Sequence, residues 1–146
     1  MLKNKLATCL MLMHGIAFAA VLFAQSAKST RDGVYTYAQA EQGHALYTLQ
    51  CATCHGAQLE GSGQNPPLTG QAFLNNWKGQ TLADFYTQIQ STMPATKPGS
   101  LQPDEVSQLI AYILSANSYP TGTTELPDSA DKLKEIQFDL PAQSAQ

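Results

Sequence analysis

The sequence predicts an all-α fold. Two segments, 82–89 and 106–114, repeat apolar residues at the spacing of one buried helix face, and each follows a residue typical of a helix start. No segment alternates apolar and polar residues for long enough to predict a strand. The length of 146 residues, with 43% hydrophobic and 13% charged residues, indicates one modest domain.

Residues 1–26 are predicted to be an export signal. Lys3 and Lys5 precede an apolar stretch at 6–24, and small residues at Ala24 and Ser26 form a cleavage site. The alternative is an uncleaved anchor, because the stretch approaches the ~20 residues that cross a bilayer. Cleavage would leave six Lys and Arg against eleven Asp and Glu, a net charge of −5.

The first helix is predicted from residue 37 to Gln50, after a linker at 27–36. Thr36 and Gln39 have the spacing of a capping box. Four apolar residues fall roughly on one face, which we expect to be buried: Ala38, Ala45, Leu46 and Leu49.

An ordered loop is predicted at 56–70, because its glycines and prolines do not sustain a helix. The middle helix then begins with Thr81 and Asp84 and ends near Pro94. Its predicted buried face consists of Leu82, Phe85, Tyr86 and Ile89.

The last helix is predicted to begin at Pro103, a residue common at the first helical position. A C-terminal tail follows at 120–146, and we expect its end, 141–146, to fray. The apolar residues of the tail are predicted to dock as one helical turn; they are Leu133, Ile136, Phe138 and Leu140.

The segment Cys51-Ala52-Thr53-Cys54-His55 carries the chemistry. Two thiols at this spacing can form thioethers with the vinyl groups of haem, while the adjacent imidazole reaches the iron. A thioredoxin-type dithiol would need a preceding strand, and a zinc ribbon would need a second cysteine pair. The simplest alternative is a structural disulfide.

Met93 is the candidate for the second axial ligand. Without the signal, the chain keeps only this methionine, and Pro94 follows it in a loop after the middle helix. The alternative for a lone methionine is core packing. His44, the other remaining histidine, is interpreted as a surface or propionate-side residue. A filled His/Met coordination sphere suits electron transfer, because it excludes small ligands.

Over 37–119 the sequence resembles the class I c-type cytochromes, in the CATCHG motif, Pro66, Met93-Pro94 and the AYIL run at 111–114. The resemblance implies a small cytochrome c fold: three main helices and loops wrapped around one covalently bound haem. It also implies that the Pro66 carbonyl accepts a hydrogen bond from His55 Nδ1. Trp77 would bind a haem propionate or simply pack.

The family's helix crossing would place Gly43 and Tyr47 against Tyr112. The loop composition and the ELP tail are also similar to small cytochromes associated with pyrroloquinoline-quinone dehydrogenases.

These features favour a periplasmic monohaem electron carrier between a dehydrogenase and a terminal oxidase or another cytochrome. The alternatives are a tightly bound cytochrome subunit of a quinoprotein dehydrogenase, and a haem enzyme or gas sensor with a labile methionine ligand. A membrane contact is expected only if 6–24 is retained. Nucleic acid is excluded as a partner by the acidic charge. Lys78 and Lys97 are candidates for a weak docking contribution.

Overall fold

A computed structural model describes residues 28–142, so the predicted export signal and the last four residues of the predicted frayed end lie outside the described part. The helices are α1 (Tyr37–Gln50), α2 (Ala52–His55), α3 (Gly70–Trp77), α4 (Leu82–Thr92), α5 (Pro103–Ala116) and α6 (Ala130–Leu133). A 3-10 turn spans Thr30–Asp32, and two short strands, β1 (Lys28–Ser29) and β2 (Ile136–Gln137), pair in parallel. The all-α prediction is confirmed, with this strand pair as a small addition.

The crossing of α1 and α5 is the most extensive contact between elements. A Cβ atom on Gly43 would overlap the backbone carbonyl of Gln108 and lie 2.9 Å from Tyr112 Cβ. The rings of Tyr47 and Tyr112 lie 5.3 Å apart beside this point. The predicted crossing at a small residue beside aromatic rings is confirmed.

The predicted buried face of α1 is wrong. Ala38, Ala45 and Leu49 are exposed, Leu49 to 80%, and Leu46 is half-buried. The close approach at Gly43 turns a different face towards α5, and hydrophobicity could not identify it because it contains a glycine and an amide. The residues buried on α1 are Gln39, Ala40, Gly43 and Tyr47.

The capping box predicted for α1 is only half formed. Thr36 Oγ1 accepts a hydrogen bond from Gln39 N, but the Gln39 side chain points elsewhere. Its Nε2 donates to Leu126 O at 2.9 Å, and its Oε1 accepts from Leu126 N at 2.8 Å. Gln39 therefore binds the tail segment instead of completing the cap.

Helices α4 and α5 agree with the sequence. Thr81 and Asp84 form the reciprocal capping box of α4, and Pro103 begins α5. Helix α3 is an addition that the sequence analysis missed, and its Phe73 is buried. The predicted apolar faces of α4 and α5 are buried: Leu82, Phe85, Tyr86, Ile89, Val106, Leu109, Ile110, Ile113 and Leu114.

The tail docks through buried Leu133, Ile136 and Phe138, with Leu140 half-buried. The predicted single helical turn is wrong for three of these four residues, because α6 contains only Leu133 and the chain then continues into β2 at Ile136. The Phe138 ring packs edge-on against Phe85, at 6.1 Å between centroids. Other rings of the same aromatic cluster are Phe73, Trp77 and Tyr119.

The N-terminal segment of the described chain lies against this tail. Thr30 Oγ1 donates to Asp139 O and accepts from Asp139 N, next to the β1–β2 pairing. Val34 and Tyr35 are also buried. Within residues 28–142, no helix is both long and apolar enough to cross a membrane.

Gly43→Ala tests the helix crossing, because the crossing decides whether this substitution raises or lowers the free energy of unfolding. Helix propensity alone would favour alanine by about 1 kcal/mol. The overlap with Gln108 should instead lower the free energy of unfolding by about 1–3 kcal/mol, because the helices must separate. The measurement is denaturant unfolding of the haem-loaded protein.

Ala45→Gly is the matched control, since this exposed position lies on the same helix. We expect it to cost only about 1 kcal/mol. A stabilised Gly43→Ala protein would show that α1 and α5 do not touch at this residue.

Candidate haem site

The CATCH segment forms the junction between α1 and α2. Cys51 N donates to Tyr47 O and closes α1, while Cys51 O accepts from Cys54 N and His55 N. This tight turn arranges the two thiols and the imidazole within five residues. No disulfide joins the two cysteines, and Cys51 is half-buried whereas Cys54 is exposed.

The two thiols differ in environment. Burial, with a smaller contribution from neighbouring Cys54, raises the pKa of the Cys51 thiol to about 11. Cys51 is therefore a protonated thiol at neutral pH when it is not bonded to another group. Its half-buried sulfur packs against the core, so one side of the site is anchored and the other faces solvent.

His55 is buried and has a defined orientation. Its Nδ1 lies 2.9 Å from the carbonyl oxygen of Pro66. A carbonyl oxygen only accepts hydrogen bonds, so Nδ1 must carry a proton, and in the neutral ring the free lone pair is then on Nε2. The contact that the family resemblance implied for Pro66 is present, and it leaves Nε2 as the ring nitrogen that is available to a ligand.

The turn after His55 is fixed from two sides. Tyr47 Oη donates to Gly56 O at 2.6 Å, and Gly61 N donates to His55 O at 2.8 Å. Gly56 has a φ of +82°, which favours glycine, and a Cβ there would overlap the Glu60 carboxylate. The hydroxyl of Tyr47 thus ties the CATCH turn to α1.

Met93 immediately follows α4 and closes it, with Met93 N donating to Ile89 O at 2.9 Å. Its side chain is half-buried and packs against the core. The structure thus places the thioether at the point where α4 ends and the chain enters the loop at 94–101. Both interpretations of Met93, core packing and iron ligation, are compatible with this position.

Trp77 ends α3 and is half-buried. Its ring lies 4.5 Å from that of Phe85, so packing accounts for part of its position, and the propionate contact stays a prediction. His44 is exposed and stacks on Tyr112 at 4.8 Å. This placement agrees with its interpretation as a surface residue.

The donor set fits a haem iron better than a bare metal ion. Across residues 28–142, no group of three or more His, Cys, Asp and Glu side chains could hold a metal. A lone imidazole and a lone thioether are sufficient when a porphyrin supplies the other four nitrogens. Two free thiols beside that imidazole match the two vinyl groups.

Sequence reasoning missed two residues that shape the site, Tyr47 through its hydroxyl and Asn117. Asn117 Nδ2 donates to Leu68 O at 2.9 Å, and Gly70 N donates to Asn117 Oδ1 at 3.2 Å. Tyr47 lies on α1 and Asn117 directly follows α5, so the sequence pattern at both positions indicated only helix packing. An asparagine directly after the last apolar turn of α5 was the available signal.

Fold and donor set together define a c-type cytochrome. The family model described as cytochrome c oxidase, cbb3-type, subunit III matches residues 38–113, and the chain belongs to this family of c-type cytochrome domains. It is accordingly an electron carrier with covalently bound haem c and its iron.

Two relatives show how the domain is used elsewhere. The chain is 32% identical over 95 residues to the cbb3-type cytochrome c oxidase subunit CcoP of Azospirillum brasilense, covering 54% of this chain but 31% of that protein. It is 30% identical over 76 residues to cytochrome c6 of Diacronema lutheri, covering 50% of this chain and 90% of that protein. The chain therefore spans about a third of CcoP and most of cytochrome c6. No solved structure matches.

Replacing Cys51 or Cys54 by serine tests the attachment site. Each variant loses one thiol, so it can form at most one thioether with the haem. The pyridine haemochrome spectrum should then shift from that of two saturated vinyl groups to that of one.

Thr53→Ser is the matched control, because it changes a side chain between the two cysteines without removing a thiol. A wild-type spectrum in either cysteine variant would contradict attachment at these positions.

Proposed function

We propose that this protein is an exported, periplasmic monohaem cytochrome c that carries one electron from a dehydrogenase to a terminal oxidase or another cytochrome. The observation that supports it most is the 2.9 Å contact between His55 Nδ1 and Pro66 O. A structural disulfide or a redox dithiol does not require this contact. An axial histidine does, because the contact keeps the proton on Nδ1 and fixes the orientation of the ring.

The bound haem supplies the one-electron couple between ferrous and ferric iron. Cys51 and Cys54 would hold the group in place, and His55 would bind its iron through Nε2. Met93 would supply a soft sulfur ligand, which would favour the ferrous state and raise the reduction potential. Trp77 is proposed to contact a propionate with its indole N–H.

A carrier role is favoured over catalysis because both axial positions are assigned to protein side chains. A haem enzyme or gas sensor needs an open position, which a labile Met93 would have to provide. Met93 is anchored at the end of α4 by its backbone hydrogen bond and by core packing. We therefore propose that the protein is not an enzyme.

A second candidate is a cytochrome bound permanently within a respiratory complex. The similarity to the oxidase subunit CcoP favours an oxidase as the host, whereas the loop and tail pattern favours a quinoprotein dehydrogenase. For the free carrier, electrostatic steering should be weak, since the chain without residues 1–26 has a net charge of −5 and its candidate docking cations are only the exposed Lys78 and Lys97.

Met93→Ala tests the axial assignment. The variant should retain covalent haem but lose the sulfur ligand, so its reduction potential should fall and the ferrous protein should bind carbon monoxide. Potentiometric titration and carbon monoxide difference spectra measure both effects.

The wild-type protein is the first control and should not bind carbon monoxide at neutral pH. Thr92→Ala is the second control, because it changes the neighbouring half-buried residue without removing sulfur. An unchanged potential and spectrum in Met93→Ala would place the ligand elsewhere.

Size-exclusion chromatography of native extract separates the free carrier from the bound subunit. A free carrier should elute at the size of a small monomer, with its haem absorbance resolved from that of large complexes. Co-elution with a quinoprotein dehydrogenase or an oxidase, stable at high salt, would contradict the free-carrier proposal and support the second candidate.

A further inference from the structure

Asn117 joins the end of α5 to the loop that carries Pro66. The residue is 6% exposed and follows the last residue of α5. Its Nδ2 donates to Leu68 O at 2.9 Å and to Ile113 O at 2.8 Å, and its Oδ1 accepts from Gly70 N at 3.2 Å. One buried carboxamide therefore holds two backbone positions of the loop against a rigid helix.

This part of the loop is also held by its own residues, and the Leu68 side chain packs against the core. Leu68 N donates to Leu59 O at 2.8 Å, so the loop is pinned at Leu68 to its own earlier residues and, through Asn117, to α5. Pro66 lies two residues before this pinned point and is itself exposed. The backbone on the other side of Pro66 is held within the loop, where Asn65 pairs with Ser62. The position of the Pro66 carbonyl therefore depends on these contacts within the loop and on Leu68, which Asn117 ties to α5.

Removing the carboxamide would leave the Leu68 carbonyl without this donor and would detach Gly70 from α5. Loss of a buried partner destabilises the group that is left without it, and here the effect falls on the loop because α5 is fixed by its packing against α1. We expect the loop to open locally more often, with the His55–Pro66 hydrogen bond as the first contact affected.

We propose that Asn117 is the positioning residue for the axial histidine: it holds the loop so that the Pro66 carbonyl stays on His55 Nδ1. The inference rests on the proposed function, in which His55 binds the haem iron through Nε2. Asn117, 62 positions from His55 in the sequence, would then influence how strongly the His55 imidazole donates electrons to the iron. A stronger hydrogen bond to Nδ1–H makes the imidazole more basic and favours ferric iron, so weakening it raises the reduction potential.

The test compares Asn117→Ala with Gln39→Ala in the haem-loaded protein. Gln39 is the matched control, because it is also a buried carboxamide that binds both the N–H and the C=O of a distant backbone segment, namely Leu126 in the tail. Thermal unfolding measures the stability loss of each variant, which should be similar. Two further readouts separate them, the exchange of the His55 Nδ1 proton by NMR of the reduced protein and the reduction potential.

In Asn117→Ala, the Nδ1 proton should exchange about tenfold faster, the factor that corresponds to about 1.4 kcal/mol of lost protection, and the reduction potential should rise. In Gln39→Ala, both readouts should stay at the wild-type values. Asn117→Ser is the second variant if alanine prevents folding, since its hydroxyl suits a helix end but is too short to span the loop.

The proposal is overturned if the Asn117 variants keep wild-type proton exchange and potential, or if Gln39→Ala changes both equally, which would indicate general loosening. A wild-type protein without thioether-linked haem or without a histidine ligand would instead refute the proposed function itself. The absorption spectrum of the wild-type protein detects the absence of the haem or of its histidine ligand before any variant is compared.

Discussion

The close approach of α1 and α5 at Gly43 is the constraint on which the rest of the structure depends. It brings the backbone of α1 onto the Gln108 carbonyl and so fixes the rotation of α1. That rotation buries Tyr47, whose hydroxyl reaches Gly56 after the CATCH turn. A larger side chain at position 43 would displace both the helix and the turn that it supports.

Hydrogen bonds from buried neutral side chains, not charges, join distant segments of this fold, and those of Asn117 and Tyr47 do so beside the site. Gln39, Asn117 and Tyr47 each bind backbone atoms of a distant segment, and in the described part of the chain the ion pairs are two exposed contacts of Lys132 and Lys134. Such exposed pairs contribute about 0–1 kcal/mol. Neutral bonds suit a site whose iron changes charge, because they add no fixed charge that favours one state strongly.

The elements that the sequence predicted correctly carry local signals. Helix α4 has a reciprocal capping box, and α5 has a proline start and five apolar residues at helical spacing. The buried face of α1 was predicted wrongly because its contact surface contains Gly43 and Gln39, which no hydrophobic pattern marks. The short helix α3 begins at a glycine and packs through Phe73, so only tertiary contacts reveal it.

The sequence by itself determined the inventory: two thiols, an adjacent imidazole and one thioether after a helix. These depend on spacing within a few residues, which the chain sets covalently. The tertiary structure decided how that inventory is oriented. His55 meets Pro66 across 11 residues, and Asn117 meets Leu68 across 49. Such contacts form only after loops close and helices pack, and a single chain carries no periodic signal for partners that far apart.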